Sequence, residues 1–282
     1  MQKNIYLLLI IFTLFFGCNS QLSDNLEGQD NLSILVISSD ISIGENRLVF
    51  AISDLESKFL NTPLKNAKII NTVTKESLPI KPEDEAWSAN RGAYSAKIVF
   101  ETDGVYEIKV YSSLGEKGSA FLQVFPKSET PIIGSAPPFI ITKTAQTLVE
   151  AQLISSDPEP YLGFYEINFE DAINNNKSTV IIFSTPALCT SGTCGPVLNN
   201  LKAVHPKYTD KFNFIHVEIF EDFYNKNLND VESLTLSSPV KSWKLPTEPW
   251  VFFIDNKGIL RDKYEGFISK NNIIKTLDSL DN

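Results

Sequence analysis

The sequence is poor in the residue types that most often carry chemistry. Its 282 residues include only three cysteines, two histidines and one methionine, so it has no tract rich in histidine or methionine. Basic clusters are missing too. The formal net charge of −9 is spread along the chain, which argues against nucleic acid as a partner. With 43% hydrophobic and 21% charged residues, the composition is that of an ordinary globular protein.

The N-terminal apolar run, residues 5–16, has 12 residues and is too short to cross a membrane comfortably. Lys3 precedes this run and Gly17 follows it, a pattern typical of a secretory signal peptide. The segment resembles a bacterial lipobox, in which the next residue, Cys18, is acylated. The resemblance implies a lipoprotein signal peptide over residues 1–18. It also implies a lipid anchor that holds the protein in the cell envelope, at a bacterial membrane and facing outside the cytoplasm. A plain signal peptide with an incidental cysteine is the alternative.

The remaining chain divides into a tether and two domains. Residues 19–31 are polar and without periodicity, which predicts a flexible tether. Residues 32–127 contain short runs rich in β-branched and aromatic residues, separated by turn residues. Large apolar residues recur with a period of two, as in Leu48, Phe50 and Ile52, so one face of each strand is expected to be buried. About seven such strands predict an all-β immunoglobulin-like sandwich, which serves as a spacer or a docking surface.

Residues 128–282 alternate between strand and helix patterns. The continuous apolar run 179–184 predicts a fully buried strand. A short helix is predicted at 169–175, a helix at 196–204, a strand at 212–220, a hairpin from 250–255 and 259–266, and a final helix capped by Ser269. This order predicts an α/β domain of the thioredoxin type.

Three segments make the resemblance more specific. STPALCTSGTCGPV, FIHVEIFED and KLPTEPWVFFIDNKG resemble a subgroup of bacterial envelope proteins with thioredoxin-like domains, and the likeness covers roughly residues 130–282. It implies a redox site at Cys189 and Cys194. It also implies a cis-proline that packs against the disulfide, at Pro249 with Pro246 as the alternative. There Glu248, Pro249 and Trp250 expose backbone that pairs with a substrate peptide.

The two cysteines have an unusual spacing. Thioredoxin-type sites normally place two residues between the cysteines, whereas four separate Cys189 from Cys194, and Val197 stands where a partner would follow Cys194. Cys194 lies just before the helix predicted from Pro196, so the helix start is expected to lower the pKa of its thiol, and Gly192 allows the intervening loop to close. The Cys-Gly-Pro match favours Cys194 as the attacking thiol and is the preferred interpretation, whereas the distance from the preceding strand favours Cys189. A purely structural disulfide is the third interpretation.

His216 and Glu218 lie two positions apart and therefore share one face of the predicted strand. Because the ends of neighbouring parallel strands meet at the active site of this fold, His216 is a candidate for proton transfer to or from a cysteine. The alternative is a buried pair with satisfied hydrogen bonds.

The leading hypothesis is a membrane-anchored thiol–disulfide oxidoreductase of the cell envelope. It acts on protein thiols and disulfides through Cys189 and Cys194 and needs no cofactor beyond its redox disulfide. One alternative is a copper chaperone of the Sco type that uses Cys189, Cys194 and His216, although the cysteine spacing is one residue longer than in such proteins. Another is a non-enzymatic adaptor with a structural disulfide. A peroxidase has less support, since the sequence has no Pro-x-x-x-Thr-x-x-Cys run.

Overall fold

The computed structural model describes residues 30–88, 91–189, 191–221, 223 and 233–281. The predicted signal peptide with Cys18 lies outside these ranges, as does the predicted tether except for its last two residues. Across the described ranges, no helix combines the length and the apolar character needed to span a membrane.

In the described residues, the first half of the chain is built from nine strands. They are β1 (Ser33–Val36), β2 (Gly44–Ser53), β3 (Phe59–Leu60), β4 (Leu64–Asn71), β5 (Ser77–Ile80), β6 (Glu83–Ser88), β7 (Arg91–Phe100), β8 (Gly104–Ser112) and β9 (Lys117–Val124). One sheet has the order β1-β2-β7-β6 with β3 beside β2, and the other has the order β5-β4-β8-β9. The sequence did not predict β3, β5 and β6, because they are short, acidic or interrupted by proline and lack the β-branched pattern.

Both of these sheets bury side chains in one cluster. Phe50 of β2 and Tyr94 of β7 stack with ring centroids 5.5 Å apart, and Ile69 of β4 and Ile108 of β8 meet them from the other sheet. The alternating apolar side chains predicted from the sequence therefore lie in a core that the two sheets share. The assignment of this part to an immunoglobulin-like domain stays a prediction.

The second half mixes helices with a third sheet. Its elements are α1 (Leu148–Ile154), α2 (Phe169–Ile173), β10 (Ser178–Ser184), α3 (Cys194–Val204), β11 (Phe212–Glu218), α4 (Ser238–Ser242), β12 (Trp250–Ile254), β13 (Leu260–Glu265) and α5 (Lys270–Leu280). The sheet order is β11-β10-β12-β13, in which β10 runs parallel to β11 and antiparallel to β12. This arrangement of sheet and helices is the thioredoxin-like topology that the sequence predicts.

Strand β10 lies in the interior of this sheet and is buried along its whole length. On one face Val180 and Ile182 belong to a cluster with Leu201 of α3. On the other face Phe183 packs against Trp243, with ring centroids 4.9 Å apart. Burial on both faces explains the uninterrupted apolar run and fixes the position where β10 ends and the cysteine segment begins.

Buried polar contacts join the first half to the second. Glu85 of β6 has no exposed surface, and its carboxylate accepts hydrogen bonds from Arg47 Nη2 at 2.6 Å, the Ser269 backbone N–H at 3.0 Å and Asn272 Nδ2 at 2.8 Å. Arg47 also donates to the carbonyl of Phe267 at 2.9 Å. The ion pair lies within the first half, but its hydrogen bonds to the backbone of Phe267 and Ser269 and to Asn272 cross the predicted boundary between residues 127 and 128.

Candidate functional site

The cysteine segment connects the end of β10 to the start of α3. Gly192 has a φ of 69°, a conformation that glycine adopts without strain, and its N–H donates to the carbonyl of Cys189 at 3.4 Å. Thr193 is the N-cap of α3, and Cys194 is the first helical residue. The helix thus starts two residues before the predicted start at Pro196. Pro196 fits in its first turn, where N–H groups have no partner within the helix.

The two thiols differ in exposure. The sulfur atoms are not bonded to each other. Cys194 is fully buried at 0% exposure, whereas Cys189 is partly exposed. A substrate disulfide can therefore reach Cys189 without any rearrangement of the helix.

Cys189 also sits where a thiolate is stabilised. The pKa of Cys189 is lowered to about 5. The largest cause is a hydrogen bond that the thiol of Cys194 donates to Cys189, and burial of Cys189 acts in the opposite direction. Cys189 Sγ also accepts from the Cys194 backbone N–H at 3.3 Å and lies 3.2 Å from Ser191 Oγ. That N–H belongs to the first residue of α3, so the positive end of the helix acts on Cys189.

The environment of Cys194 favours its protonated thiol. Burial raises its pKa, and the neighbouring Cys189 raises it further, while the backbone N–H of Thr185 partly opposes them. The expected helix-start effect is thus present but is directed at the other sulfur. The geometry favours Cys189 for attack and Cys194 for the second step, whereas the Cys-Gly-Pro match favours the reverse.

Glu248 brings a carboxyl group to the thiols. The peptide bond between Glu248 and Pro249 is cis, as the sequence predicted. A carboxylate oxygen of Glu248 and the sulfurs of Cys189 and Cys194 all lie within 4.8 Å of one another. Burial raises the pKa of Glu248 to about 7, and the charges of Cys189 and Glu218 add to this effect. At this separation, one water molecule can carry a proton between the carboxyl group and either sulfur.

His216 does not belong to this group. Its side chain is 3% exposed, with Nδ1 2.6 Å from Tyr165 Oη and Nε2 2.9 Å from Ser184 Oγ. Nε2 is also 3.0 Å from the Ser184 carbonyl. Burial lowers the pKa of His216, so the ring is neutral and both nitrogens are occupied. The structure therefore gives His216 the buried hydrogen-bonding role that was the alternative to proton transfer.

Glu218 and Trp250 are placed differently from their predicted roles. The Glu218 carboxylate accepts from the backbone N–H groups of Ser156 at 2.7 Å and Ile219 at 3.0 Å, and its charge raises the pKa of Glu248. The Trp250 side chain is 2% exposed and stacks on Phe252 at 5.6 Å. The backbone of Trp250 is already paired with Phe183 of β10 and Glu265 of β13, so a substrate contact at Trp250 stays a prediction.

The copper ligand set expected from the sequence is not assembled. Within the part of the chain that the structure describes, the cysteine sulfurs are joined by the carboxyl group of Glu248 and not by His216. A carboxylate is a hard donor, whereas copper(I) prefers soft ligands. Copper binding through Cys189, Cys194 and His216 stays a prediction without support from the geometry.

In comparisons with known proteins, no protein-family model and no curated protein matches the chain. Solved structures that resemble it include the exposed lipoprotein thioredoxin Etrx1 of Streptococcus pneumoniae, with 17% identity, a TM-score of 0.30, and coverage of 45% of this chain and 96% of that chain. A thioredoxin-family thiol:disulfide interchange protein of Chlorobium tepidum has 13% identity, a TM-score of 0.33, and coverage of 53% and 98%. The Lin-41 filamin domain has 14% identity, a TM-score of 0.24, and coverage of 34% and 94%. With identities and TM-scores this low, none of these likenesses indicates a function for this chain.

Three features of the site were missed by sequence reasoning. They are the hydrogen bond from Ser191, the backbone N–H of Thr185 and the approach of the Glu248 carboxyl group to the thiols. A signal for the last one was present. Pro249 was already expected beside the cysteines, so the residue before it had to be close to them as well.

Proposed function

We propose that this protein is a membrane-anchored thiol–disulfide oxidoreductase of the cell envelope that acts on protein disulfides through Cys189 and Cys194. The observation that carries the proposal is the asymmetry of the pair. A partly exposed thiol that ionises readily lies beside a buried thiol that ionises poorly, as an attacking and a resolving cysteine require.

The reaction proceeds in two exchanges. The Cys189 thiolate attacks one sulfur of the partner's disulfide, which forms a mixed disulfide and releases the partner's other sulfur as a thiolate that takes up a proton. Cys194 then loses its proton and attacks Cys189 Sγ, which releases the second partner sulfur and leaves a Cys189–Cys194 disulfide. Two electrons pass to the partner. The reverse sequence oxidises a partner dithiol.

The test measures the reduction potential of the pair in the full chain. A Cys18→Ser background leaves Cys189 and Cys194 as its only thiols. Equilibration with glutathione buffers, followed by thiol trapping and mass spectrometry, gives the potential. Parallel assays measure reduction of a disulfide-bonded test protein. Cys189→Ser and Cys194→Ser are the matched controls.

A potential between about −120 and −270 mV, in the range of known exchangers, supports the proposal. We expect Cys189→Ser to abolish reduction of the test protein and Cys194→Ser to trap a mixed disulfide at Cys189. A potential below about −300 mV with no exchange identifies a structural disulfide and therefore the adaptor alternative. Tight 1:1 copper(I) binding that His216→Ala abolishes identifies the chaperone alternative.

The lipid anchor is part of the same proposal and is tested separately. It depends on the sequence around Cys18. Mass spectrometry of the N-terminal peptide of the membrane-extracted protein is expected to show an acylated Cys18. Cys18→Ala is expected to move the protein from the membrane fraction to the soluble fraction. An unmodified Cys18 in the mature protein would contradict this part.

A further inference from the structure

We infer that Glu248 is the proton-transfer residue of the thiol pair, giving a proton to the departing sulfur and taking one from Cys194. This inference rests on the proposed exchange activity and assigns to Glu248 a role beyond the substrate contact expected from the sequence. Its basis is geometric: a carboxylate oxygen of Glu248 lies within 4.8 Å of both cysteine sulfurs.

Cys194 needs a base because it is buried. It is 0% exposed, so bulk water does not reach its thiol directly. The groups that act on Glu248 are Cys189 and Cys194 from the cysteine segment and Glu218 from β11. Both His216 nitrogens are taken by Tyr165 and Ser184, so the imidazole does not fill this role. Of the carboxyl and imidazole groups that the structure describes, only Glu248 lies with both sulfurs in one cluster.

The charge of Cys189 changes during the reaction, and this change alters the protonation of the Glu248 carboxyl group. While Cys189 is a thiolate, its negative charge favours the protonated form of Glu248. When Cys189 becomes part of a mixed disulfide, that charge disappears and the proton is released more easily. Glu248 is therefore protonated before the first exchange, and it is deprotonated and able to accept a proton before the second.

The protons balance over the two exchanges. In the first exchange, the Cys189–partner S–S bond forms and the partner's own S–S bond breaks. The departing partner thiolate then takes the proton from Glu248. In the second, the Glu248 carboxylate takes the proton of Cys194. The Cys189–Cys194 bond forms as the Cys189–partner bond breaks. The second departing thiolate then receives that proton from Glu248 or from solvent.

The aromatic disulfide DTNB isolates the second step. In the full chain with Cys18→Ser, an equimolar amount of DTNB reacts with Cys189 and releases one TNB. Attack by Cys194 then releases a second TNB. Stopped-flow absorbance follows the two releases as a function of pH. The variants are Glu248→Gln, which has no acid–base function, and Glu248→Asp, which retains it. Glu170→Gln, at an exposed position on α2, is the matched control.

General acid–base catalysis typically contributes about 10²- to 10⁴-fold. We therefore expect Glu248→Gln to slow the second release about 10²-fold near pH 7 and to make its rate proportional to hydroxide. The first release stays within about threefold because Cys189 is already a thiolate and needs no base, and the far-UV circular dichroism spectrum checks that the variant is folded. Glu248→Asp is expected to restore part of the rate, and Glu170→Gln is expected to have no effect.

An increase in the rate of the second release, instead of a decrease, identifies a purely electrostatic role of Glu248. The charge of Glu248 contributes to the raised pKa of Cys194, so a residue acting only by charge predicts a faster second release in Glu248→Gln. A second release that is unchanged or faster in this variant overturns the inference while leaving the exchange activity intact. Absence of a second release in the unsubstituted protein overturns the exchange activity itself.

Discussion

The ionisation of Cys189 depends most on the thiol of Cys194, which donates a hydrogen bond to it. We therefore expect Cys194→Ala to raise the pKa of Cys189 from its value of about 5. Hydrogen bonds to charged groups contribute about 1.5–3 kcal/mol, and one pKa unit corresponds to about 1.4 kcal/mol. The expected rise is therefore about one to two units.

Two other donors limit this rise. Ser191 Oγ, at 3.2 Å from the sulfur, remains in the variant, and so does the backbone N–H of residue 194 at 3.3 Å. The pKa is therefore not expected to return to that of a free cysteine. Cys194→Ser is the matched variant, because its hydroxyl replaces the thiol as donor. We expect it to raise the pKa of Cys189 by less than half as much as Cys194→Ala.

The rate of alkylation by iodoacetamide as a function of pH measures this pKa, and thiolate absorbance at 240 nm checks it independently. All variants carry Cys18→Ser, so only Cys189 reacts in the variants at position 194. Two results would refute the reasoning: an unchanged pKa in Cys194→Ala, or equal rises in the alanine and serine variants. An unchanged pKa would mean that the helix N-terminus, rather than the second thiol, determines the ionisation, and equal rises would mean that the effect of Cys194 is not a hydrogen bond that a hydroxyl can replace.

The same ionisation links stability to pH. The pKa of Cys189 in the folded chain, about 5, is depressed below the unfolded value of about 8.5. Its contribution to stability is fully present above pH 8.5 or so and is lost as pH falls through about 5. Cys194 has a raised pKa, so it lowers stability only above the unfolded value, where the unfolded chain releases a proton that the folded chain retains. As the pH rises from about 5 to 8, the free energy of unfolding of the reduced chain is expected to increase relative to that of Cys189→Ser.

Two further predictions concern buried polar groups. Glu85→Ala leaves Arg47 without its buried partner and is expected to reduce the free energy of unfolding in urea by about 3–5 kcal/mol. Glu83→Ala, at an exposed position on the same strand, is expected to change it by less than about 0.5 kcal/mol, and similar losses in both variants would contradict this explanation. His216→Gln breaks buried hydrogen bonds and is expected to cost about 1–3 kcal/mol without changing the alkylation pKa of Cys189. A shift of that pKa by more than half a unit would instead support proton transfer by His216.

Most helices and strands of the second half could be predicted because local patterns determine them, although α1 and α4 were not predicted. The predicted strand 179–184 corresponds to β10 at Ser178–Ser184, and the helix predicted from 196 begins at Cys194. Ser269 caps α5 through a hydrogen bond from the backbone N–H of Asn272, as expected from a serine before an apolar helical face. In each case neighbouring residues carry the signal. In the first half, β6 was missed because its pairing partner β7, and not its own sequence, makes it a strand.

The roles within the site depend on directions in space that a sequence does not contain. Helix α3 begins at Cys194, and its first N–H points to the sulfur of Cys189, five positions earlier. The position of Cys194 beside a helix start was predicted, but the prediction that the helix start would lower the pKa of Cys194 was wrong, because Cys189 is the thiol with the lowered pKa. His216 was placed on the right strand, yet its nitrogens meet Tyr165 and Ser184. Choosing between a catalytic and a structural histidine required these contacts.

The contacts between the halves extend to the thiol site. Glu265 of β13 accepts hydrogen bonds from the Ser39 backbone N–H at 2.8 Å and from Thr247 Oγ1 at 2.6 Å, and Thr247 immediately precedes Glu248. Lys263, on the same strand, pairs with Asp40 at 3.3 Å. A fragment that begins at residue 128 would lose Ser39 and Asp40 and leave two largely buried charged side chains without those partners, which is costly. The first half therefore supports the segment that carries Glu248, and a role as a mere spacer does not account for these contacts.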